Sequence, residues 1–531
     1  MKTKIFFLAI CIMTIISANA QVATINWQNT IGGNAREGLR TIQQTNDGGS
    51  IIAGVSESNA SGDKTENSQG GVDLWIVKLD AAGNIEWENT IGGSDIDHIQ
   101  SHGTSILTTP DGDYIVGCDS FSNISGDKTE NSNGGIDYWI IKLNAAGEIE
   151  WQNTIGGSGF DVFGGITLTT NGGYIIGGSS DSNISGDKTE NSKGNTDYWI
   201  VNLNASGTII WQKTIGGNAA DFLEEIKTTS DGGYILGGWS VSGISGDKSE
   251  ASIGSWDYWV VKLDNSGNIQ WENTIGGSDI EYLRQIIQTS DGGYILSGES
   301  YSNISGDKTE NSQGETDYWI VKLNNSGEVE WDKTIGGSDL DAIPVIIQSQ
   351  EGGYMVVGSS FSNISGDKTE NSQGETDFWI VKLNDLGEIE WEKTLGGSNF
   401  DWLIDVIQNS DGSYTLAGHS NSNISGDKTE NSQGLYDYWI INFSTLLGVE
   451  ENPFINTIAL YPNPANSILY IKNSEKNIET LSIYSPLGNI VDEITVNNNS
   501  AIIDVSGLAT GVYYITLKCG NDKTIKKFIK K

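Results

Sequence analysis

Few side chains in this 531-residue sequence could do chemistry. There are three histidines, His98, His102 and His419, and three arginines, Arg36, Arg40 and Arg284. Three arginines can clamp a carboxylate, and paired acids such as Asp95/Asp97 or Asp339/Asp341 can support glycoside hydrolysis. An extracellular hydrolase or lyase acting on polysaccharide is therefore one class to weigh. Against it, Arg36 and Arg40 share one stretch while Arg284 lies far along the chain. The four-residue spacing of His98 and His102 suits a metal only on a helix, and that region reads as loop or strand. No nucleophile elbow, phosphate loop or Cys/His zinc pattern is present. Cys11, Cys118 and Cys519 are too scattered for a disulfide framework, and Cys118 reads as a small core residue. The expectation is a protein without catalytic residues.

Two other groups point to binding. Of the 17 Trp, fourteen fall in two recurring signatures, and Trp239, Trp256 and Trp402 do not. Phe222, Tyr282 and Tyr436, with Phe160, vary at comparable positions. Such rings suit stacking on sugars or anchoring a peptide, with packing between loops as the alternative. The second group is a loop, Ser-Gly-Asp-Lys-(Thr/Ser)-Glu, written seven times. Its acids, for example Asp127 and Glu130 or Asp307 and Glu310, could hold calcium. They also suit turn capping, which is the reading favoured because no strict calcium-loop spacing is present. No other cofactor is expected. The formal charge of -39 excludes nucleic acid as a partner. Residues 21–450 carry 20 basic and 62 acidic side chains, so the acidity belongs to the repeats.

The elements that must position these residues follow from the repeat. Trp-x-x-Thr-(Ile/Leu)-Gly-Gly recurs from Trp27 to Trp391 every 60 residues, with one step of 64 caused by extra residues near 98–104. Asp-x-Trp recurs from Trp75 to Trp439. Each unit reads as four antiparallel strands. For residues 283–334 these are Leu283–Thr289, a Ser-Asp-Gly-Gly turn, Tyr294–Ser300, a long polar loop, Asp317–Leu323, a turn at Asn325–Gly327, and Glu328–Thr334. Seven such units predict an all-β, seven-bladed β-propeller with four-stranded blades. The seventh unit lacks its last strand, and a surplus strand at Ile25–Thr30 can supply it and close the ring. Antiparallel alternation puts the long loops on one face and the Asp-Gly and Ser-Gly turns on the other.

The units resemble the bacterial β-propeller repeat of secreted and surface proteins, on motifs such as Trp271-x-x-Thr274-Ile275-Gly276-Gly277-Ser278, Asp291-Gly292-Gly293-Tyr294 and Asp317-Tyr318-Trp319-Ile320-Val321-Lys322-Leu323. Past the repeats, Leu460-Tyr461-Pro462-Asn463-Pro464 opens a region with its own motifs. Ile483-Tyr484-x-x-x-Gly488, Gly511-x-Tyr513 and a terminal Lys526-Lys527-Phe528-Ile529-Lys530-Lys531 follow. This region resembles the type A C-terminal sorting domain of the type IX secretion system of Bacteroidetes-like bacteria. The resemblance implies a small immunoglobulin-like β-sandwich read by the outer-membrane machinery, then removed. Lys2, Lys4, the apolar run Ile5–Ser17 and Ala18-Asn19-Ala20 read as a signal peptide. The expected organisation is signal peptide 1–20, propeller 21–445, linker 446–457 and sorting domain 458–531. The expectation is a secreted or surface monomer with no transmembrane segment, binding a glycan or protein ligand, with a purely structural surface protein as a further alternative.

Overall fold

The computed structural model describes residues 22–446, 458–473, 476–484, 490–519 and 522–531. The expected signal peptide, Gly488 and most of the expected linker lie outside these. Two units are present, one running from Ala23 to Thr445 and one within the chain after it.

Each repeat folds into one antiparallel sheet. Blade five is Glu281–Gln288, Tyr294–Ser300, Asp317–Leu323 and Val329–Ile335, in that spatial order. Its hairpin turn needs a residue in the left-handed region, and Gly292 supplies it at φ 86°. Asp291 accepts the Gly293 N–H at 2.9 Å and pairs with Lys322 at 3.0 Å, tying the turn to the third strand. That third strand is buried along its whole length, which is why it reads as a nearly continuous apolar run.

Neighbouring blades meet through aromatic pairs. Tyr258 of blade four lies 5.0 Å from the Trp319 ring of blade five, and its hydroxyl donates to the Trp319 carbonyl at 3.3 Å. Trp319 is fully buried, so its truncation would cost about 3–5 kcal/mol. The fourth-strand Trp271 lies over Gly327 of the next blade, at φ 85°. A Cβ there would meet the ring at 2.7 Å. The Ser-Gly turn is thus fixed both by its backbone and by the ring above it.

The ring closes as expected. The N-terminal strand, Val22–Ile31, pairs with Asp437–Leu446 and completes blade seven. Both strands run longer than the sequence suggested, and Leu446 still belongs to the blade. The Tyr438 ring then lies 5.0 Å from Trp75 of blade one, and its hydroxyl donates to the Trp75 carbonyl at 3.2 Å. The seam therefore repeats the contact that Tyr138, Tyr198 and Tyr258 make with the blades after them.

Blade two departs from the pattern. Its innermost strand is broken into Asp97–His98 and Ile106–Thr108 by the extra residues between them.

The second unit has two sheets. Ile458–Tyr461, Ile468–Asn473 and Ser500–Asp504 form one. Ile490–Asn498, Ile478–Tyr484, Gly511–Cys519 and Asp522–Lys530 form the other. Leu469, Ile471, Leu481, Ile515 and Phe528 pack between them as a β-sandwich core. The Leu460–Pro464 motif lies against the last strand. Asn463 accepts the Ile529 N–H at 2.9 Å and donates to the Lys527 carbonyl at 3.2 Å. Tyr513 packs on Phe528, and its hydroxyl donates to the Ala509 carbonyl at 3.1 Å.

Candidate functional site

The seven long loops form an interlocked collar, and the repeated charges are its fastenings. In blade two, Asp127 accepts the Gly92 N–H at 3.2 Å and Glu130 accepts the Thr154 N–H at 2.7 Å. Asp307 and Glu310 do the same with Gly276 at 3.1 Å and Thr334 at 2.8 Å. The loop lysine is buried: Lys128 donates to Thr154 at 2.7 Å and lies 5.1 Å above the Trp139 ring. Among the described residues no three acid, His or Cys side chains converge as a metal site would require. Six of the seven loops also fasten to the next. Gln69 reaches Asp127, Asn133 reaches Asp187 at 3.1 Å, and Lys193, Gln313, Gln373 and Gln433 make the equivalent contacts.

One junction lacks this fastening. Blade four carries Ile253 where the other six have Gln, Asn or Lys. It also carries Ala251 where six blades have an Asn that caps the loop, as Asn311 does for the Ile304 N–H at 3.1 Å. The blade-four loop has therefore given up two structural hydrogen bonds and gained Trp256.

A second contact, present in four of the seven blades, is also missing here. The sixth residue of the second strand commonly accepts a backbone N–H from the next blade. Asp119 takes Phe163 at 2.6 Å, Ser179 takes Leu223 at 2.9 Å, Glu299 takes Ile343 at 2.7 Å and Ser359 takes Leu403 at 2.9 Å. The other three blades lack this contact: blade one has Val55 there, blade seven His419 and blade four Trp239. The Trp239 ring lies 4.4 Å from Phe222, 4.6 Å from Trp256 and 5.2 Å from Tyr282. All four rings are half-buried. Four of the six expected ligand residues thus form one cluster across blades four and five.

The other two lie elsewhere. Trp402 packs 5.6 Å from Phe361, and Tyr436 lies 5.6 Å from His419. The six positions do not make a single site, because blade seven has its own aromatic group. Phe160 is 51% exposed on blade three.

Beside the cluster lies a charged group that the sequence did not assemble. Trp239 donates to Glu224 at 3.4 Å. Arg284 forks onto Glu299 at 3.3 and 3.2 Å, stands 4.0 Å from Glu224, and lies 5.8 Å from the Tyr282 ring. Burial pulls the Arg284 guanidinium down, but Glu299 and Glu224 outweigh it and hold it above its ordinary value. Burial raises Glu224. Arg284 Nη1 also lies 3.4 Å from His102 Nδ1. Burial, then the Arg284 charge, drives His102 well down, so it is neutral. Arginine only donates, so Nδ1 accepts and the proton sits on Nε2.

His102 arrives there on the blade-two insertion. Arg40 of blade one donates to the Ile99 carbonyl at 3.0 Å, and Ser101 donates to Gly164 of blade three at 2.7 Å. Thr104 donates to Glu225 of blade four at 3.2 Å, and its carbonyl accepts Ile166 N–H at 2.9 Å. One short segment touching the innermost strands of four other blades lies across the centre of the ring. The signal for this was the single 64-residue step.

The arginine clamp does not form. Arg284 is taken by Glu299, and Arg36 faces Glu57 at 3.8 Å on the surface. His98 stands 3.9 Å from the buried Asp119, and Cys118 is buried with its thiol 3.5 Å from the Trp139 carbonyl.

Ring, collar and tail define the class: an exported seven-bladed β-propeller with a sorting domain. Residues 459–531 match the secretion system C-terminal sorting domain family. This type IX tail directs the chain to the cell surface or the medium. A stretch of 187 residues, 34% of the chain, is 21% identical to "Regulatory protein FlaEY" of Caulobacter vibrioides, and the chain spans only 20% of that relative's length. Among solved structures, BBS1N in complex with ARL6DN is similar at 9% identity, TM-score 0.42, over 80% of this chain and 98% of that one. The Pan2 WD40 domain of Neurospora crassa is similar at 9% identity, TM-score 0.38, over 78% and 95%. PorZ, a type IX secretion surface component of Porphyromonas gingivalis, is similar at 10% identity, TM-score 0.28, over 96% and 75%. With these scores the propeller assignment rests on the strand ladder itself. No helix among the described residues is long and apolar enough to cross a membrane.

Proposed function

We propose that this protein is a non-enzymatic extracellular binding module, engaging a glycan or protein ligand with its long-loop face at the junction of blades four and five. The type IX machinery is its partner in transit, through the tail. The observation that supports the binding reading is that the collar contacts kept by the other six blades are lost where four aromatic rings gather. Ile253 and Ala251 remove collar hydrogen bonds, and Trp239 lacks the inter-blade one. Positions that break a local rule without repairing it are where function is to be sought. The test is binding of the full chain to arrayed extracellular glycans and proteins. Binding that Trp256→Ala abolishes supports the reading. Turnover of a polysaccharide panel, or arrays left blank, overturns it.

A further inference from the structure

The chemistry of the four-ring cluster narrows its ligand. The rings alone would take any apolar group, but the polar groups at their edge are selective. They are side chains that bond hydroxyls: the Glu224 carboxylate accepts, the Arg284 guanidinium donates, and His102 presents Nε2–H because its Nδ1 faces Arg284 at 3.4 Å. Arg284 is committed to Glu299 through only part of its five-donor fork. With Glu299 counted, the group carries two carboxylates against one guanidinium, on a ring that is already strongly acidic.

An anionic ligand would meet that charge, and Arg284 beside it is already paired with Glu299. A peptide bound by strand addition would need an open row of backbone N–H and C=O groups, whereas this junction gathers half-buried rings and polar side chains. A neutral pyranose satisfies both halves. Its C–H face lies on an aromatic ring, and its hydroxyls act as donor and acceptor together.

We infer that the junction of blades four and five is a subsite for neutral pyranose units of a glycan, stacked on the Trp239–Trp256–Tyr282 rings and oriented by Glu224 and Arg284. This rests on the binding-module reading above and names its ligand class. Glu224 and Arg284 are positioning and recognition groups, held in register by the blade-two insertion through His102.

The experiment titrates the full chain with three probe sets, followed by tryptophan fluorescence and calorimetry. The probes are neutral hexasaccharides (cellohexaose and mannohexaose), an anionic one (hexagalacturonate), and tyrosine- and lysine-rich hexapeptides. The expected result is saturable binding of a neutral probe that Trp256→Ala weakens at least tenfold. Trp256 is half-buried, and the melting curve of the variant checks that it folds. Arg284→Lys keeps the charge but loses the fork, and should weaken neutral binding while leaving hexagalacturonate unbound. Neutral binding that ignores Trp256→Ala overturns the site. Preference for the anionic probe or a peptide, still sensitive to Trp256→Ala, overturns the ligand class and leaves the binding-module reading standing. No response to any probe overturns both.

Discussion

Asp119 offers a quantitative test of the packing at the ring centre. It is fully buried on the second strand of blade two. One oxygen accepts the Phe163 N–H at 2.6 Å, and the other stands 3.9 Å from His98 Nε2. Burial pushes its carboxyl up to about 8. The folded value lies above the unfolded one, so the stability linked to this group is full below about pH 4 and is lost as pH rises towards 8. At pH 7 the unfolded carboxyl is ionised and the folded one still holds its proton. A gap of about 3 pH units at 1.36 kcal/mol each gives a cost of about 4 kcal/mol, an upper figure. Asp119→Asn keeps the shape and the Phe163 hydrogen bond and removes the titration. The variant should match the parent near pH 4.5 and exceed it by about 2–4 kcal/mol at pH 7.5. For a unit the size of Ala23–Thr445 that is roughly 2–5 °C in melting temperature. Thermal unfolding at the two pH values reads the difference. A variant less stable than the parent at pH 7.5, or one with the parent's pH slope, refutes the reasoning.

Other consequences concern the repeat. Gly327→Ala should cost about 2–4 kcal/mol, while Gly292→Ala should cost only about 1 kcal/mol. Both sit at similar positive φ, but only Gly327 has a ring 2.7 Å from the new Cβ, with nothing within 4 Å of Gly292, so the difference in melting isolates the Trp271 contact. Ile253→Gln should restore the missing fastening to Asp307 and raise stability by about 0.5–1 kcal/mol; no gain would mean the collar contacts contribute little. Adding calcium or a chelator should leave the melting temperature unchanged, because Asp127 and Glu130 already bond backbone N–H groups; a clear shift would contradict that role.

Blades, turns and ring closure were legible because they rest on short-range signals. A Gly at a hairpin and a Trp every 60 residues each report one local contact, and repetition multiplies the signal. The collar was legible only in part. The acids of the loop drew the reading, but its lysine gave no signal: Lys128 lies 1% exposed over Trp139, where the ring face accepts the ammonium that burial would otherwise penalise. Phe222 and Trp239 face each other across one hairpin, a pairing the strand register implies. Tyr282 joins them from the next blade, which only the ring geometry decides. The insertion's destination was hidden for the same reason. Thr104 meets Glu225, and His102 meets Arg284, across more than a hundred residues of chain.

The central claim, that the junction of blades four and five is the ligand site, is tested most directly by oxidative footprinting. The full chain would be labelled alone and with cellohexaose or mannohexaose, whichever binds more tightly. The account predicts protection of Trp256 and Tyr282, with Trp402 and Tyr436 labelled equally in both samples. Protection at Trp402, or only at the hairpin turns of the opposite face, would contradict it.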